Sequence, residues 1–173
     1  KKGSLVAMIK GTDSEQVADI LRKIPQPKRN KVQEVTLDMA PAMQKIVSYC
    51  FPKATQVTDR FHVIQLASDA VQQIRIKHRW EAIDQENKEI ELSKETGKTF
   101  VPDRLENGDT MKQLLARSRY LLFKHENKWI PSQRFRAEIL FNQYPDIEKA
   151  YNLYRELSSI YESSNNQSIA LTR

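Results

Sequence analysis

The sequence has little cysteine and little glycine, and each shortage excludes a class of site. Its 173 residues include a single cysteine, Cys50, so an internal disulfide and a zinc site built on cysteines are both excluded. Only four glycines are present, and none forms part of a glycine-rich phosphate-binding loop. The metal-binding helix motif of metalloproteases and the nucleophile elbow of α/β-hydrolases are missing as well. The candidates for chemistry are therefore a few acids and histidines.

Long apolar runs are also missing. No stretch approaches the roughly 20 apolar residues that a membrane-spanning helix needs. The first residues lack the apolar block of a signal peptide. These features predict a cytoplasmic protein that makes no contact with a membrane. The chain starts with Lys1 rather than Met, so we expect it to be a fragment of a longer protein.

Charge, in contrast, is abundant and unbalanced. The chain has 28 lysines and arginines against 22 acids, for a formal net charge of +6. Hydrophobic residues make up 39% of the chain, which is enough for a core. A basic balance favours an anionic partner such as nucleic acid, although many ordinary soluble proteins are equally basic.

The first sixty residues predict alternating strands and helices. Apolar and β-branched runs predict strands at 4–10, 32–38 and 54–58. Apolar residues at helical spacing predict one helix that begins at a capping Thr12 and a second helix over 41–50. Strands that alternate with helices favour parallel pairing through right-handed crossovers.

The rest of the chain predicts helices and loops alone. Its last helix carries a stripe of tyrosines and Ile147 that is typical of a core-facing surface, and the polar tail 163–173 is predicted to fray. The fold class is therefore α/β followed by an all-α region, with a boundary near residue 62. The predicted helices of this second part are 61–95, 110–124, 131–143 and 145–163.

Two acids stand at the ends of neighbouring predicted strands. Asp38 ends the strand 32–38, and Asp59 follows the strand 54–58, with His62 three residues later. The carboxyl ends of parallel strands meet at one edge of a sheet, and carboxylate oxygens are ligands that Mg²⁺ prefers. Each acid also precedes a predicted helix, so the alternative for both is a helix cap. The spacing alone leaves the two interpretations open.

The segment around these acids resembles a known family. The stretch "VTLDMAPAMQKIVSYCFPKATQVTDRFHV" closely resembles the transposases of bacterial insertion sequences in the ISL-three family. The shared pattern is a strand ending in Asp-Met, a helix, Phe or Leu followed by Pro-x-Ala, and a strand ending in Asp-Arg-Phe-His-Val. The later stretches "RSRYLLFKHENKW" and "AYNLYRELSSIYE" resemble the same family, so the resemblance covers nearly the whole chain.

The resemblance implies an RNase H-like catalytic domain that cleaves and joins DNA with Mg²⁺ or Mn²⁺. It implies that Asp38 is the second catalytic aspartate and a metal ligand. Asp59 and His62 match the family's Asp-x-x-His signature, which we expect at the edge of the site. Residues 1–62 would form a partial RNase H-like core, and 63–173 a helical insertion. An active complex would be a homo-oligomer on the insertion-sequence ends and target DNA, associated with the nucleoid.

The other two catalytic acids of the family have no match in this chain. The upstream acids Asp13, Glu15 and Asp19 lie on or beside the first predicted helix rather than at the end of a strand. The family's catalytic glutamate follows the helical region, beyond the last motif found here. We therefore expect the isolated chain to bind divalent metal weakly and to leave DNA uncleaved.

Two other hypotheses stay open. The chain is alternatively a helical DNA-binding or assembly module without catalysis, or an RNase H-like nuclease or resolvase. Trp80 and Trp129 are candidates for stacking on bases, with burial in the core as the alternative. His78 and His125 lie among charged residues and are expected to be solvated. The basic candidates for phosphate contacts, each with a solvated surface as its alternative, are Arg60, Arg117, Arg119, Lys124, Lys128, Arg134 and Arg136.

Overall fold

The structure is a computed structural model that describes residue 5 and residues 7–163. The chain divides into two compact units, residues 1–63 and residues 64–173. The polar tail that we expect to fray falls, from residue 164 onward, outside the described residues.

The first unit contains a two-stranded parallel sheet and short helices. The two strands pair in register from Glu34 opposite Thr55 to Leu37 opposite Thr58. Both strands and their adjacent, parallel arrangement are therefore confirmed, although each is shorter than its predicted range. In chain order the elements are α1 (Ser14–Arg22), α2 (Gln26–Arg29), β1 (Glu34–Leu37), α3 (Pro41–Cys50), β2 (Thr55–Thr58) and the start of α4 (Arg60–Glu95).

The prediction of a strand over 4–10 was wrong for the residues that the structure describes there. Residue 5 and residues 7–10 have no regular secondary structure. Leu5 is 76% exposed and Met8 is 86% exposed, so this run has no apolar surface to pack against. A strand needs a paired neighbour for its backbone groups, and local composition cannot replace that neighbour.

Helices α1 and α3 form the core of the first unit. The side-chain oxygen Oδ1 of Asp13 accepts hydrogen bonds from the backbone N–H groups of the first turn, so Asp13 and not Thr12 caps α1. Ala18 of α1 packs with Ile46 and Cys50 of α3, and all three are buried. This is the apolar face that the spacing of α3 predicts.

Cys50 is a buried free thiol. Its side chain is fully buried, and its Sγ lies 3.6 Å from the carbonyl oxygen of Ala18. Burial raises the pKa of the Cys50 thiol, while the nearby charges of Arg29 and Arg22 act in the opposite direction. Arg29 also donates a hydrogen bond to the Cys50 carbonyl, which joins the end of α2 to the end of α3.

The second unit consists of helices joined by loops and turns in its described part, residues 64–163, and the helix predicted over 110–124 ends at Arg117. No strand occurs over 64–163, as the sequence predicts. Among the residues described, no helix is both long enough and apolar enough to cross a membrane. Its elements are the remainder of α4, α5 (Met111–Arg117), a 3-10 turn (Glu126–Lys128), α6 (Pro131–Gln143) and α7 (Pro145–Ser163).

Tyr151 stands at the centre of the second unit's core. Its ring stacks on Trp129 at 5.5 Å and lies 5.7 Å from the ring of Phe141. The hydroxyl donates a 2.8 Å hydrogen bond to the carbonyl oxygen of Lys124, and burial raises the pKa of Tyr151 to about 12. The predicted core face of the last helix is thus confirmed, and Ile147 on the same face is fully buried.

A buried aspartate joins α6 to the segment before α5. Asp109 is 1% exposed and forms ion pairs with Arg117 and with Arg136, whose Nε lies 3.2 Å from Asp109 Oδ2. The Asn107 side-chain amide donates to the same carboxylate at 3.0 Å. A buried carboxylate needs such partners because an unpaired charge in the interior is costly.

His78 is not the solvated side chain that the sequence predicts. Its side chain is 18% exposed, and its two ring nitrogens lie 3.0 Å from Glu81 and 2.6 Å from Asp146. The ring also packs 4.5 Å from Tyr144. Partial burial acts to raise the pKa of Asp146, but the hydrogen bond and charge of His78 outweigh it, so that pKa is lowered.

Replacing Asp109 by asparagine should destabilise the second unit by about 1–3 kcal/mol, because two arginines lose their shared charged partner. Urea unfolding followed by circular dichroism measures this change. Asp103→Asn, at an exposed position in the same loop, is the matched control and should have almost no effect. Equal stability of the two variants would contradict a structural role for Asp109.

The His78–Asp146 contact predicts a pH dependence of stability. Since the pKa of Asp146 is lower in the folded chain than in the unfolded chain, the contact contributes fully above the unfolded pKa. The contribution is lost as the pH falls through the folded pKa. The urea midpoint of the unmodified chain should therefore fall more between pH 7 and pH 3 than that of Asp146→Asn. Asp84→Asn, on the exposed surface of α4, should behave like the unmodified chain.

Candidate functional site

The parallel register of the sheet brings Asp38 and Asp59 to the same edge. Leu37 and Thr58 are the last paired residues of β1 and β2, and the two acids directly follow them. The backbone N–H of Asp59 donates a 2.8 Å hydrogen bond to the Leu37 carbonyl, which extends the ladder by one residue. The carboxyl ends of both strands therefore present an acid side by side.

Asp38 is held by the turn that leads into α3. Its side chain is half-buried, and Oδ1 accepts a 3.0 Å hydrogen bond from the backbone N–H of Ala40. Ala40 is the N-cap residue of α3, so Asp38 orders the turn without capping the helix itself. Among the described residues, no donor forms a hydrogen bond with Oδ2 of Asp38. One oxygen thus fixes the carboxylate while the other stays available.

Asp59 begins α4 and acts as its cap. Its Oδ1 accepts a 3.0 Å hydrogen bond from the backbone N–H of Phe61, and its carbonyl accepts one of 3.1 Å from His62. The cap interpretation of this acid is therefore realised. Its second oxygen lies 4.0 Å from His62 Nε2, with both side chains partly exposed, which is a weak ion pair only when the imidazole is protonated.

The surface around this edge is open. Arg60 and Phe61 are exposed, and Met39 after Asp38 is 37% exposed. The rings of Phe61 and His62 meet edge to face at 5.7 Å, which restrains the imidazole. His62 is exposed as well, whereas Asp38 and Asp59 are half-buried.

The described residues do not supply a complete metal site. Within them, no three or more His, Cys, Asp or Glu side chains lie close enough together to hold a metal ion. Asp13 caps α1, and Glu15 and Asp19 line a groove between α1 and α3. The carboxylate of Asp38 has the hard oxygen donors that suit Mg²⁺, but the further ligands of a two-metal centre are not provided by these acids.

The basic candidates of the helical region have different surroundings. Arg117 and Arg136 are bound to the buried Asp109. Lys124 Nζ lies 3.4 Å from the amide oxygen of Gln133, and a guanidinium nitrogen of Arg134 lies 3.4 Å from the Glu126 carbonyl. Arg117 and Arg136 thus have a role in stability, whereas Lys124, Arg134 and Lys128 remain on the surface.

The two tryptophans also differ in their surroundings. Trp129 packs against the core, and its indole N–H donates a 2.8 Å hydrogen bond to the Leu121 carbonyl. Trp80 is 60% exposed. It lines a groove with Arg79, which the sequence analysis missed, and with Arg119. Arg79 and Trp80 are adjacent on a predicted helix. A basic residue beside an aromatic one is a pattern that the sequence alone offers for a nucleic-acid contact.

Comparison with known proteins identifies the family of this chain. Neither the curated proteins nor the solved structures contain a significant match. The family model for ISL-three transposases, described as a transposase, matches the chain over residues 1–173. That match spans both structural units, and the segments that carry the resemblance lie in both. The chain belongs to the ISL-three family of transposases.

Proposed function

We propose that this chain forms part of the catalytic region of a transposase that cleaves and joins DNA strands. The observation that carries the proposal is the parallel pairing of β1 and β2, which brings Asp38 and Asp59 to one open edge. An RNase H-like sheet presents its catalytic acids in this manner, and β1 and β2 would be two of its strands. In this proposal, residues 1–62 are a partial catalytic core and residues 63–173 a helical insertion.

Asp38 is the proposed metal ligand and catalytic residue. A bound Mg²⁺ or Mn²⁺ would polarise the phosphodiester and stabilise the charge that develops on its oxygens during in-line attack by water or by a 3′-hydroxyl. The chain's own contribution is a carboxylate whose orientation is fixed by the Ala40 N–H. In this proposal the remaining acids of the set lie outside the described residues, and the isolated chain should lack cleavage activity.

Asp59 and His62 are the proposed edge of the same site. Asp59 fixes the first turn of α4, and this turn carries Arg60 and His62 on an exposed surface. A protonated His62 and Arg60 provide positive charge for a DNA phosphate beside Asp38. The partner is accordingly DNA, namely the insertion-sequence ends and the target, within a homo-oligomeric complex in the cytoplasm.

The first experiment tests Asp38 in the complete transposase polypeptide. Asp38→Asn keeps the size and the Ala40 contact but removes the charge that holds a metal. Excision of a marked element should fall by at least about 100-fold, while binding to the element's ends persists. Asp84→Asn, on the exposed surface of α4, is the control and should excise normally. Excision by Asp38→Asn at the normal rate would contradict the proposal.

A second experiment separates the two roles of Asp59. Asp59→Asn retains a cap acceptor and loses the charge, whereas Asp59→Ala loses both. Thermal unfolding of the 173-residue chain should show a loss of about 1 kcal/mol for the alanine variant and little for asparagine. Excision by the complete transposase should fall in both variants. If Asp59→Asn excises normally and only Asp59→Ala is affected, Asp59 is a helix cap and nothing more.

A further inference from the structure

A groove on the second unit combines positive charge with exposed aromatic rings. It has a volume of about 600 Å³ and lies between one face of α4 and the segment that follows α5. The positions on α4 are spaced so that they share one face of the helix. The lining residues that matter for its chemistry are Arg75, Arg79, Trp80, Arg119, Tyr120 and Phe123.

The net charge of the residues that line the groove is positive. Among the residues that the structure describes, Arg75, Arg79 and Arg119 form no ion pair, in contrast to Arg117 and Arg136. Asp69, which also lines the groove, has its Oδ1 hydrogen-bonded by the Gln65 side chain at 2.9 Å. Three guanidinium groups against one carboxylate leave the groove suited to an anion with several charges.

Arg75 gives the groove a rigid, positively charged floor. It is 4% exposed, and its guanidinium donates to the Leu115 carbonyl at 2.9 Å and to the Gln72 side chain at 2.8 Å. Gln72 in turn donates to the Arg119 carbonyl at 3.2 Å. A guanidinium is strongly disfavoured in the interior, and burial lowers the pKa of Arg75. Hydrogen bonds to neutral oxygens hold it there while its charge stays uncompensated.

The aromatic rings of the groove are unusually exposed for their size. Trp80 is 60% exposed, Tyr120 68% and Phe123 39%, whereas Trp129 packs against the core. The guanidinium of Arg119 lies 5.5 Å from the centre of the Tyr120 ring. Exposed rings beside guanidinium groups are an arrangement that receives both a base and its phosphate.

We propose that this groove binds single-stranded nucleic acid, with phosphates at Arg79 and Arg119 and bases stacked on Trp80 and Tyr120. The inference rests on the proposed function in DNA strand transfer and adds a binding surface to it. A paired duplex presents its phosphates to the arginines but keeps its base faces stacked inside, so the rings favour a single strand. An acidic peptide would pair with the arginines, but it offers no planar group that stacks on the aromatic rings.

The test measures binding of a fluorescein-labelled oligothymidylate to the 173-residue chain by anisotropy, at several salt concentrations. A duplex of equal length and a labelled polyglutamate peptide are the comparison ligands. We expect the single strand to bind most tightly and to quench the fluorescence of Trp80. Each lost phosphate contact should lower the slope of log affinity against log salt by about 0.7 for a single strand.

Matched variants assign the binding to the groove. Trp80→Ala should weaken oligothymidylate binding at least about five-fold, and Trp80→Phe should retain most of the affinity because it keeps an aromatic face. Tyr120→Leu should weaken it as well, whereas Phe135→Leu, at an exposed aromatic outside the groove, should not. Arg79→Gln should lower the salt slope, and Arg104→Gln, at an exposed position outside the groove, should leave it unchanged. Circular dichroism verifies that each variant is folded. Because these side chains are exposed, their replacement should leave the fold intact.

Three results would overturn the inference. They are tighter binding of the duplex, tighter binding of the polyglutamate peptide, or affinities for oligothymidylate that are the same in Trp80→Ala, Tyr120→Leu and the unmodified chain. None of these results bears on Asp38, so the proposed function is judged separately by excision. Conversely, normal excision by Asp38→Asn would overturn the proposed function while the binding data for the groove still stand.

Discussion

The hydrogen bond from the Asp59 amide to the Leu37 carbonyl is the contact on which the proposed site depends. It closes the parallel ladder of β1 and β2 at 2.8 Å and sets Asp59 beside Asp38. The same residue then caps the first turn of α4. A shift of one residue in the register would turn these acids to opposite faces of the sheet. Strand pairing thus determines that the two acids lie side by side.

The parts of the fold that were predictable are those in which the local pattern and the packing agree. The buried face of α3 and the core face of α7 follow directly from apolar residues at helical spacing. The run 4–10 has an equally good strand pattern, yet it is not a strand where it is described, because pairing partners are a property of the fold and not of the run. His78 was misjudged for a related reason: Asp146 is 68 residues away in sequence and contacts it only in the folded chain.

The candidate site also has parts that were predictable from the sequence and parts that were not. The positions of Asp38 and Asp59 were predictable because strand ends and helix starts are local features, and parallel strands place their carboxyl ends together. The groove on the second unit was not predictable from the sequence. Arg119 and Tyr120 come close to Trp80 only through the packing of α4 against the segment after α5. Likewise, nothing local distinguishes Arg117, held by a buried acid, from Arg119, which is not. Net charge indicated an anionic partner but not which cations are free to bind it.

Mapping where a divalent cation binds tests directly whether Asp38 is a metal ligand. Mn²⁺ is titrated into the ¹⁵N-labelled 173-residue chain, and the paramagnetic broadening of each amide signal is recorded. The assignment of Asp38 as a metal ligand predicts weak binding with broadening centred on Asp38, Met39 and the turn from Asp59 to His62, and loss of that broadening in Asp38→Asn. Broadening centred on the acids of α4, such as Glu86 and Glu89, with the sheet edge unaffected in both proteins, would contradict it.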